Sequence, residues 1–154
     1  MEQLHGRATR RAVLMAFGGG AAALAFGAAP AGATPEAVAA EIKKRFGDKT
    51  FTEGKITLDL PTIAENGQVV PLGFEVESPM TATDYVKTVT FYAPGNPNPE
   101  VATFHFTPMM PKAAASLRIR MAGTQTISAY AEMSNGQVYT AHREVKVTIG
   151  GCGG

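Results

Sequence analysis

The chain is poor in the residues that usually carry chemistry. Its 154 residues include one cysteine, no tryptophan and three histidines. No C-x-x-C, C-x-x-C-H or H-x-x-x-H pattern occurs, and neither G-x-S-x-G nor a phosphate loop is present. His105 and His142 lie in different segments without other ligand types beside them. We therefore expect no metal ion, no cofactor and no catalytic residue in this chain.

An excess of positive charge is also missing. The formal net charge is +1, from 14 basic and 13 acidic residues. Residues 1–33 carry three of the basic residues and one of the acidic ones, so the remainder is close to neutral. Binding to nucleic acid demands a clear basic excess, and we therefore exclude nucleic acid as a partner.

The first 33 residues have the pattern of an export signal. Arg10 and Arg11 form a twin-arginine pair, and residues 12–29 are apolar and uncharged. Ala31-Gly32-Ala33 then offers a small-x-small cleavage site. A membrane anchor is the alternative, but the glycines in the apolar run and the paired arginines favour a cleaved signal. We expect export by the twin-arginine route, a periplasmic mature protein that begins near Thr34, and no membrane segment in it.

The segment after the signal predicts one amphipathic helix over residues 35–46. Pro35 suits the first helical position, and Gly47 suits the residue after the helix. Val38, Ile42 and Phe46 recur every four residues and form one apolar stripe. The stripe can pack on the helix's own domain or on a partner subunit, and the pattern leaves both open.

Alternation with a period of two then predicts about seven strands. Asn135-Gly136 is the strongest hairpin signal, and the final strand is predicted to end at Ile149, directly before the glycine-rich tail. A mainly β, immunoglobulin-like antiparallel sandwich over residues 34–149 is the leading prediction, and a small barrel is the alternative. The missing cysteine pair and tryptophan exclude an antibody-type core. The predicted strands cover residues 55–60, 70–77, 86–93, 101–107, 117–121, 127–133 and 138–149.

The final five residues are the most distinctive stretch. Cys152, the single cysteine, has two glycines on each side: Gly150, Gly151, Gly153 and Gly154. Glycine offers wide backbone freedom and no side chain to pack, so residues 150–154 predict a flexible arm that carries a thiol. A terminus with an incidental cysteine is the alternative. The arm contains no basic residue that would activate the thiol, so an external enzyme must supply the chemistry, and we expect a carrier.

Two other features have both an ordinary and a functional explanation. Arg118 and Arg120 lie two residues apart on one strand face, which is either a solvated face or a surface for an acidic partner. Met109 and Met110 stand between prolines, where they either plug the core or form an adaptable contact patch.

Several motifs together resemble the SoxY family of sulfur-oxidation proteins. They are the twin-arginine signal, Ile63-Ala64-Glu65-Asn66-Gly67 followed by Val70-Pro71-Leu72, Ser78-Pro79-Met80, and the terminal Gly-Gly-Cys-Gly-Gly. The resemblance covers essentially the whole chain. It implies an immunoglobulin-like SoxY fold, and it implies that Cys152 holds sulfur intermediates covalently.

The resemblance also implies a set of partners. A SoxZ-like β-domain subunit would form a heterodimer with this chain. A haem enzyme of SoxAX type would join thiosulfate to Cys152, SoxB would release sulfate, and a sulfur dehydrogenase, SoxCD, would act where it is present. The competing interpretations are a periplasmic thiol–disulfide exchange or binding module, which normally needs a second cysteine, and a purely structural β-domain.

Overall fold

The computed structural model of the chain describes residues 35–150, so the predicted signal peptide, Thr34 and residues 151–154 lie outside that range. Within it the chain forms one helix and nine strands. In order, they are α1 (Pro35–Phe46), β1 (Phe51–Glu53), β2 (Ile56–Asp59), β3 (Ile63–Asn66), β4 (Val70–Val76), β5 (Val86–Tyr92), β6 (Glu100–His105), β7 (Ala113–Ile119), β8 (Gln125–Met133) and β9 (Val138–Ile149).

The strands form two sheets that face each other. The larger sheet has the order β1-β9-β8-β5-β6, with β3 also paired to β9, and the smaller sheet has the order β2-β4-β7. Most neighbours are antiparallel, but β1 and β3 run parallel to β9. Two separate sheets make a sandwich rather than a barrel, so the predicted immunoglobulin-like class is confirmed.

The core lies between the sheets and follows the predicted alternation. On β8 the inward residues Ile127, Ala129 and Ala131 are fully buried. Phe74 of the small sheet meets Phe91 and Phe104 of the large sheet, with ring centroids 4.9 and 5.1 Å apart. Aromatic pairs at these distances add to the energy of apolar burial. Phenylalanines therefore occupy the centre of a sandwich that has no tryptophan.

The helix packs on its own domain, which resolves the alternative that the sequence left open. Its stripe residues Val38 and Phe46 are buried, and Ile42 is partly buried. They cover the outer face of the large sheet, where Phe46 lies 5.7 Å from the Tyr130 ring. The amide of Gly47, at φ +66°, donates to the Lys43 carbonyl at 2.8 Å and closes the helix as predicted. No helix in the described part of the chain is long and apolar enough to cross a membrane.

Two of the nine strands were not predicted. β1 has three residues, all exposed, and β3 has four, of which Ala64 alone is buried. Neither shows alternation, because both strands pair along one edge of β9 and contribute little to the core. The predicted turn at Asn66-Gly67 is present, and β3 leads directly into it.

The end of the last strand is held by its backbone rather than by its side chain. Ile149 is 67% exposed. The pairing of β9 with β8 ends at Val145, so residues 146–149 extend past β8 and pair with β3 alone. The backbone of Ile149 is held in a sheet while its side chain faces solvent.

Candidate functional site

The structure describes the base of the predicted arm, not its cysteine. Cys152, Gly151, Gly153, Gly154 and the signal residues Arg10 and Arg11 lie outside the described residues. Gly150 is described and follows β9 directly. We define the arm root as Gly67, Ala122, Ile149 and Gly150, the residues that surround the point where the chain leaves β9.

Gly67 links the end of β9 to the loop between β7 and β8. Its amide donates to the Ile149 carbonyl at 2.8 Å, and its carbonyl accepts from the Met121 amide at 2.7 Å. The Asn66 side chain stabilises this turn, since its Oδ1 accepts from the Gln68 amide at 2.8 Å. The Asn66-Gly67 motif that contributed to the resemblance therefore lies at the arm root.

The first glycine of the arm is in close contact with the domain. A Cβ placed on Gly150 would lie 2.5 Å from the carbonyl oxygen of Ala122. A backbone atom cannot move aside as a flexible side chain does, so this position requires glycine for close approach rather than for flexibility. Flexibility remains a prediction for residues 151–154.

Asn96 and Gln125 fix the loop that holds Ala122. Asn96 Nδ2 donates to the Arg120 carbonyl at 2.7 Å, and Asn96 Oδ1 accepts from the Ala122 amide at 3.0 Å. Gln125 is buried, donates through Nε2 to Asn96 Oδ1 at 3.0 Å, and accepts from the Gly95 amide at 2.7 Å. This network joins two loops and sets the position of the surface against which Gly150 rests.

The last residues of β9 are held from both sides. The Val147 amide donates to Thr124 Oγ1 at 2.9 Å on one side. On the other side, the Lys146 amide donates to the Thr62 carbonyl at 3.0 Å. The chain therefore reaches Gly150 in a fixed position and direction.

Arg118 lies on the outer face of β7, and Arg120 is the first residue after this strand, two residues before Ala122 of the arm root. Both are exposed, because the buried Ile119 between them faces the core. Neither guanidinium forms an ion pair with any residue between 35 and 150. Arg120 therefore presents a basic group beside the arm root, and Arg118 presents a second one further along β7.

The histidines and methionines occupy separate surfaces. His105 is exposed at the end of β6, whereas His142 contacts Ser128 Oγ at 2.9 Å on β9. The described residues include no group of three or more side chains that could hold a metal, and the absence of a metal in the whole protein stays a prediction. Met109 is 92% exposed and Met110 40% exposed, so the core-plug explanation is wrong and a surface patch remains.

The perturbed ionisable groups lie under or beside the helix, away from the arm root. Burial raises the pKa of Tyr92, as does the charge of Glu100, while Arg45 opposes them. Burial also raises the pKa of Tyr130, and its side-chain hydrogen bond with Thr140 opposes this. These shifts follow from helix packing and supply no acid or base near the arm.

The sequence did not single out Asn96, Gln125 or Ala122. No local pattern in the sequence indicates that the side-chain amide of Asn96 forms hydrogen bonds with residues 120–122. The contact of Ala122 with Gly150 joins positions 28 apart in the chain. Such contacts depend on the packed fold.

Fold and site together define an immunoglobulin-like sandwich from whose last strand a glycine- and cysteine-containing segment continues. The family model described as sulfur oxidation protein SoxY matches residues 42–152, a range that includes Cys152. The chain belongs to the SoxY family of sulfur-oxidation proteins.

Solved structures agree with that assignment. The sulfur carrier protein SoxY from Chlorobium limicola f thiosulfatophilum matches with 35% identity and a TM-score of 0.62, over 73% of this chain and 96% of that one. A superoxide reductase (neelaredoxin) from Ignicoccus hospitalis matches with 18% identity and a TM-score of 0.54, over 76% of this chain and 95% of that one. At that identity the second match shows the fold alone. No curated protein matches the chain significantly.

Proposed function

We propose that this protein is a sulfur carrier, in which Cys152 holds sulfur intermediates covalently and presents them to partner enzymes. The main support is the family match, which runs through Cys152. The similar protein from Chlorobium limicola is itself described as a sulfur carrier protein. The fixed exit of the chain at Gly150 gives such a thiol a defined starting point on the surface.

The loading of sulfur onto Cys152 and its release as sulfate balance in atoms and electrons when partner enzymes carry out the oxidation and the hydrolysis. An enzyme of SoxAX type would join the Cys152 sulfur to the outer sulfur of thiosulfate, with the two electrons passing one at a time through its haem to an electron acceptor and the thiol proton going to solvent. The product is an S-thiosulfonate. An enzyme of SoxB type then adds water across the sulfur–sulfonate bond, which releases sulfate and leaves a persulfide. Thiols accept such sulfur caps reversibly.

A carrier needs little chemistry of its own, and the arm root fits that role. The described residues of the arm root are two glycines, an alanine and an isoleucine. None of them is a proton donor or acceptor through its side chain.

A sulfur dehydrogenase of SoxCD type, where present, would oxidise the persulfide sulfur, and the hydrolase would then act again.

Assembly and location are part of the same proposal. A SoxZ-like β-domain subunit pairs with this chain as a heterodimer. The twin-arginine signal with Arg10 and Arg11 directs the protein to the periplasm, where the enzymes that act on Cys152 work. Co-purification of the exported chain with a second β-domain protein, and a mature N-terminus near Thr34, are the expected results.

Sulfate release tests the carrier function. The protein is incubated with thiosulfate, a SoxAX-type enzyme and a SoxB-type hydrolase, and sulfate is measured. Wild type supports turnover, and Cys152→Ser does not, although its thermal unfolding is unchanged. Mixed disulfides between Cys152 and client proteins, without sulfate release, would instead support the thiol–disulfide exchange module.

A further inference from the structure

Ile149 of the arm root and three exposed residues close to it in the chain or across β4 and β7 form what we call the collar: Val69, Arg118, Arg120 and Ile149. Val69 is 57% exposed and Ile149 67% exposed, so both present apolar side chains to solvent. In the β4–β7 register Pro71 lies opposite Arg118 and Val70 opposite Ile119. Val69 directly precedes β4 and Arg120 directly follows β7, so both residues flank the Val70–Ile119 pair. An apolar and a basic residue therefore lie at the place where β4 begins and β7 ends.

Because the arm is short, any enzyme that acts on Cys152 must contact the collar. Cys152 lies two residues beyond Gly150, and an extended chain spans at most ~3.6 Å per residue. The Cα of Cys152 therefore stays within about 7 Å of the Cα of Gly150. An enzyme whose reacting group lies inside a channel must bring the channel mouth against the surface around Gly150.

Hydrogen bonds hold the backbone of the collar in place on two sides. Asn96 donates to the carbonyl of Arg120 at 2.7 Å, so the backbone of this arginine is fixed. The carbonyl of Ile149 accepts from Gly67 at 2.8 Å, which fixes the other side. A surface whose backbone is already ordered loses less conformational entropy when a partner binds.

From this arrangement we infer that the collar is the docking surface for the sulfur-transferring enzymes of the proposed function, on which this inference rests. The occupant is the mouth of an active-site channel with an apolar rim that bears carboxylates. Ile149 and Val69 contact the apolar rim. Arg118 and Arg120, which have no ion-pair partner among residues 35–150, pair with the carboxylates, since arginine presents a planar fork to such groups.

Charge reversal tests the basic half of the collar. In R118E/R120E we expect KM for the carrier to rise by about tenfold or more in the thiosulfate-loading reaction of a SoxAX-type enzyme, while kcat changes less than about twofold, because rim charges act on association. The difference in KM should shrink as salt is added. Arg143→Glu, which reverses one charge where R118E/R120E reverses two, is the control, because Arg143 is exposed on β9 and also lacks an ion pair in the described part of the chain.

The apolar half is tested with Val69→Ser against Met109→Ser. Both residues are exposed, and Met109 lies in the loop before β7, whose first residue pairs with the last residue of β4. Met109 is therefore at the opposite end of the sandwich from Val69. We expect KM to rise about threefold or more for Val69→Ser, and no change for Met109→Ser.

Alkylation of Cys152 by iodoacetamide separates docking from reactivity of the thiol, and all variants should react at the wild-type rate. Equal KM values for R118E/R120E and Arg143→Glu would overturn the collar and leave the carrier function standing. A loss in kcat at unchanged KM would also overturn it. A wild-type protein that takes up no sulfur at all would overturn the proposed function itself, and the collar with it.

Discussion

The carbonyl oxygen of Ala122 lies 2.5 Å from the place that a Cβ on Gly150 would occupy. The last residue of the described chain therefore rests directly on the loop between β7 and β8. Gly67 holds the preceding residue, Ile149, through its amide. The base of the predicted arm is therefore held in place at Ile149 and Gly150.

Gly150→Ala should loosen this base. The added methyl group meets a backbone oxygen, so the end of β9 must shift and the hydrogen bond from the Gly67 amide weakens. We expect the Gly67 amide to exchange its hydrogen about tenfold faster, equivalent to ~1.4 kcal/mol of local stability. Gly123→Ala is the control, because a Cβ there meets nothing within 4 Å. Equal exchange rates in both variants would show that the contact does not constrain the arm.

Asn96→Ala should destabilise the domain by about 1–3 kcal/mol, because the Ala122 amide and the Arg120 carbonyl lose their partner. Urea denaturation measures the change. Asn98→Ala in the same loop is the matched control, since Asn98 is exposed, and it should change stability by less than about 0.5 kcal/mol. Similar values for the two variants would contradict the role of Asn96 in fixing the arm root.

Long, regular patterns in the sequence predicted the fold well. The helix over residues 35–46 and the last strand over residues 138–149 have the predicted bounds. The hairpin at Asn135-Gly136 is present, with Gly136 at φ +85°. These elements carry their own signals: an apolar stripe, strict alternation and a turn that requires a positive φ. Local chemistry determines them before the chain is packed.

The arm root could not be predicted in the same way. β1 and β3 are short and gain their stability from the edge of β9, so their residues show no alternation. Ile149 continues the inward-facing pattern of β9. It is nevertheless exposed, because the pairing of β9 with β8 ends at Val145. The Asn96 network joins loops far apart in sequence. Each of these features depends on where strands end relative to one another.

Phe46→Ala should detach the helix from the sheet. Phe46 is 3% exposed, and its ring lies 5.7 Å from Tyr130 and 6.0 Å from Phe51. Removing a buried aromatic ring costs about 3–5 kcal/mol. Thermal unfolding and near-ultraviolet circular dichroism would report the loss, with the exposed Lys44→Ala as the control. A change below about 0.5 kcal/mol would mean that the helix does not depend on this contact.

Glu132 should make stability depend on pH. Burial raises the pKa of its carboxyl, but the hydrogen bond from Lys49 at 2.8 Å and the charges of Lys49 and Lys87 outweigh this, and the pKa is lowered. A lowered folded-state pKa gives stability that is present above the unfolded value, about 4.3, and is lost as pH falls through the folded value.

The corresponding measurement is urea unfolding of wild type and Glu132→Gln at neutral and acidic pH. The wild type should be more stable near pH 7, and the difference should shrink as the pH falls below ~4. Glu144→Gln is the control, since Glu144 is exposed and has no ion pair among residues 35–150. A constant difference between pH 7 and strongly acidic pH would contradict the pairing of Glu132 with Lys49.

The central claim is that Cys152 is the site at which sulfur is carried. Intact-mass analysis of the protein after incubation with thiosulfate and a SoxAX-type enzyme, followed by peptide mapping, tests it most directly. We predict a thiosulfonate adduct on the peptide that contains Cys152, its conversion to a persulfide when a SoxB-type hydrolase is added, and no adduct on Cys152→Ser. An unmodified Cys152 in a reaction that still oxidises thiosulfate, or an adduct that persists on Cys152→Ser, would contradict the account.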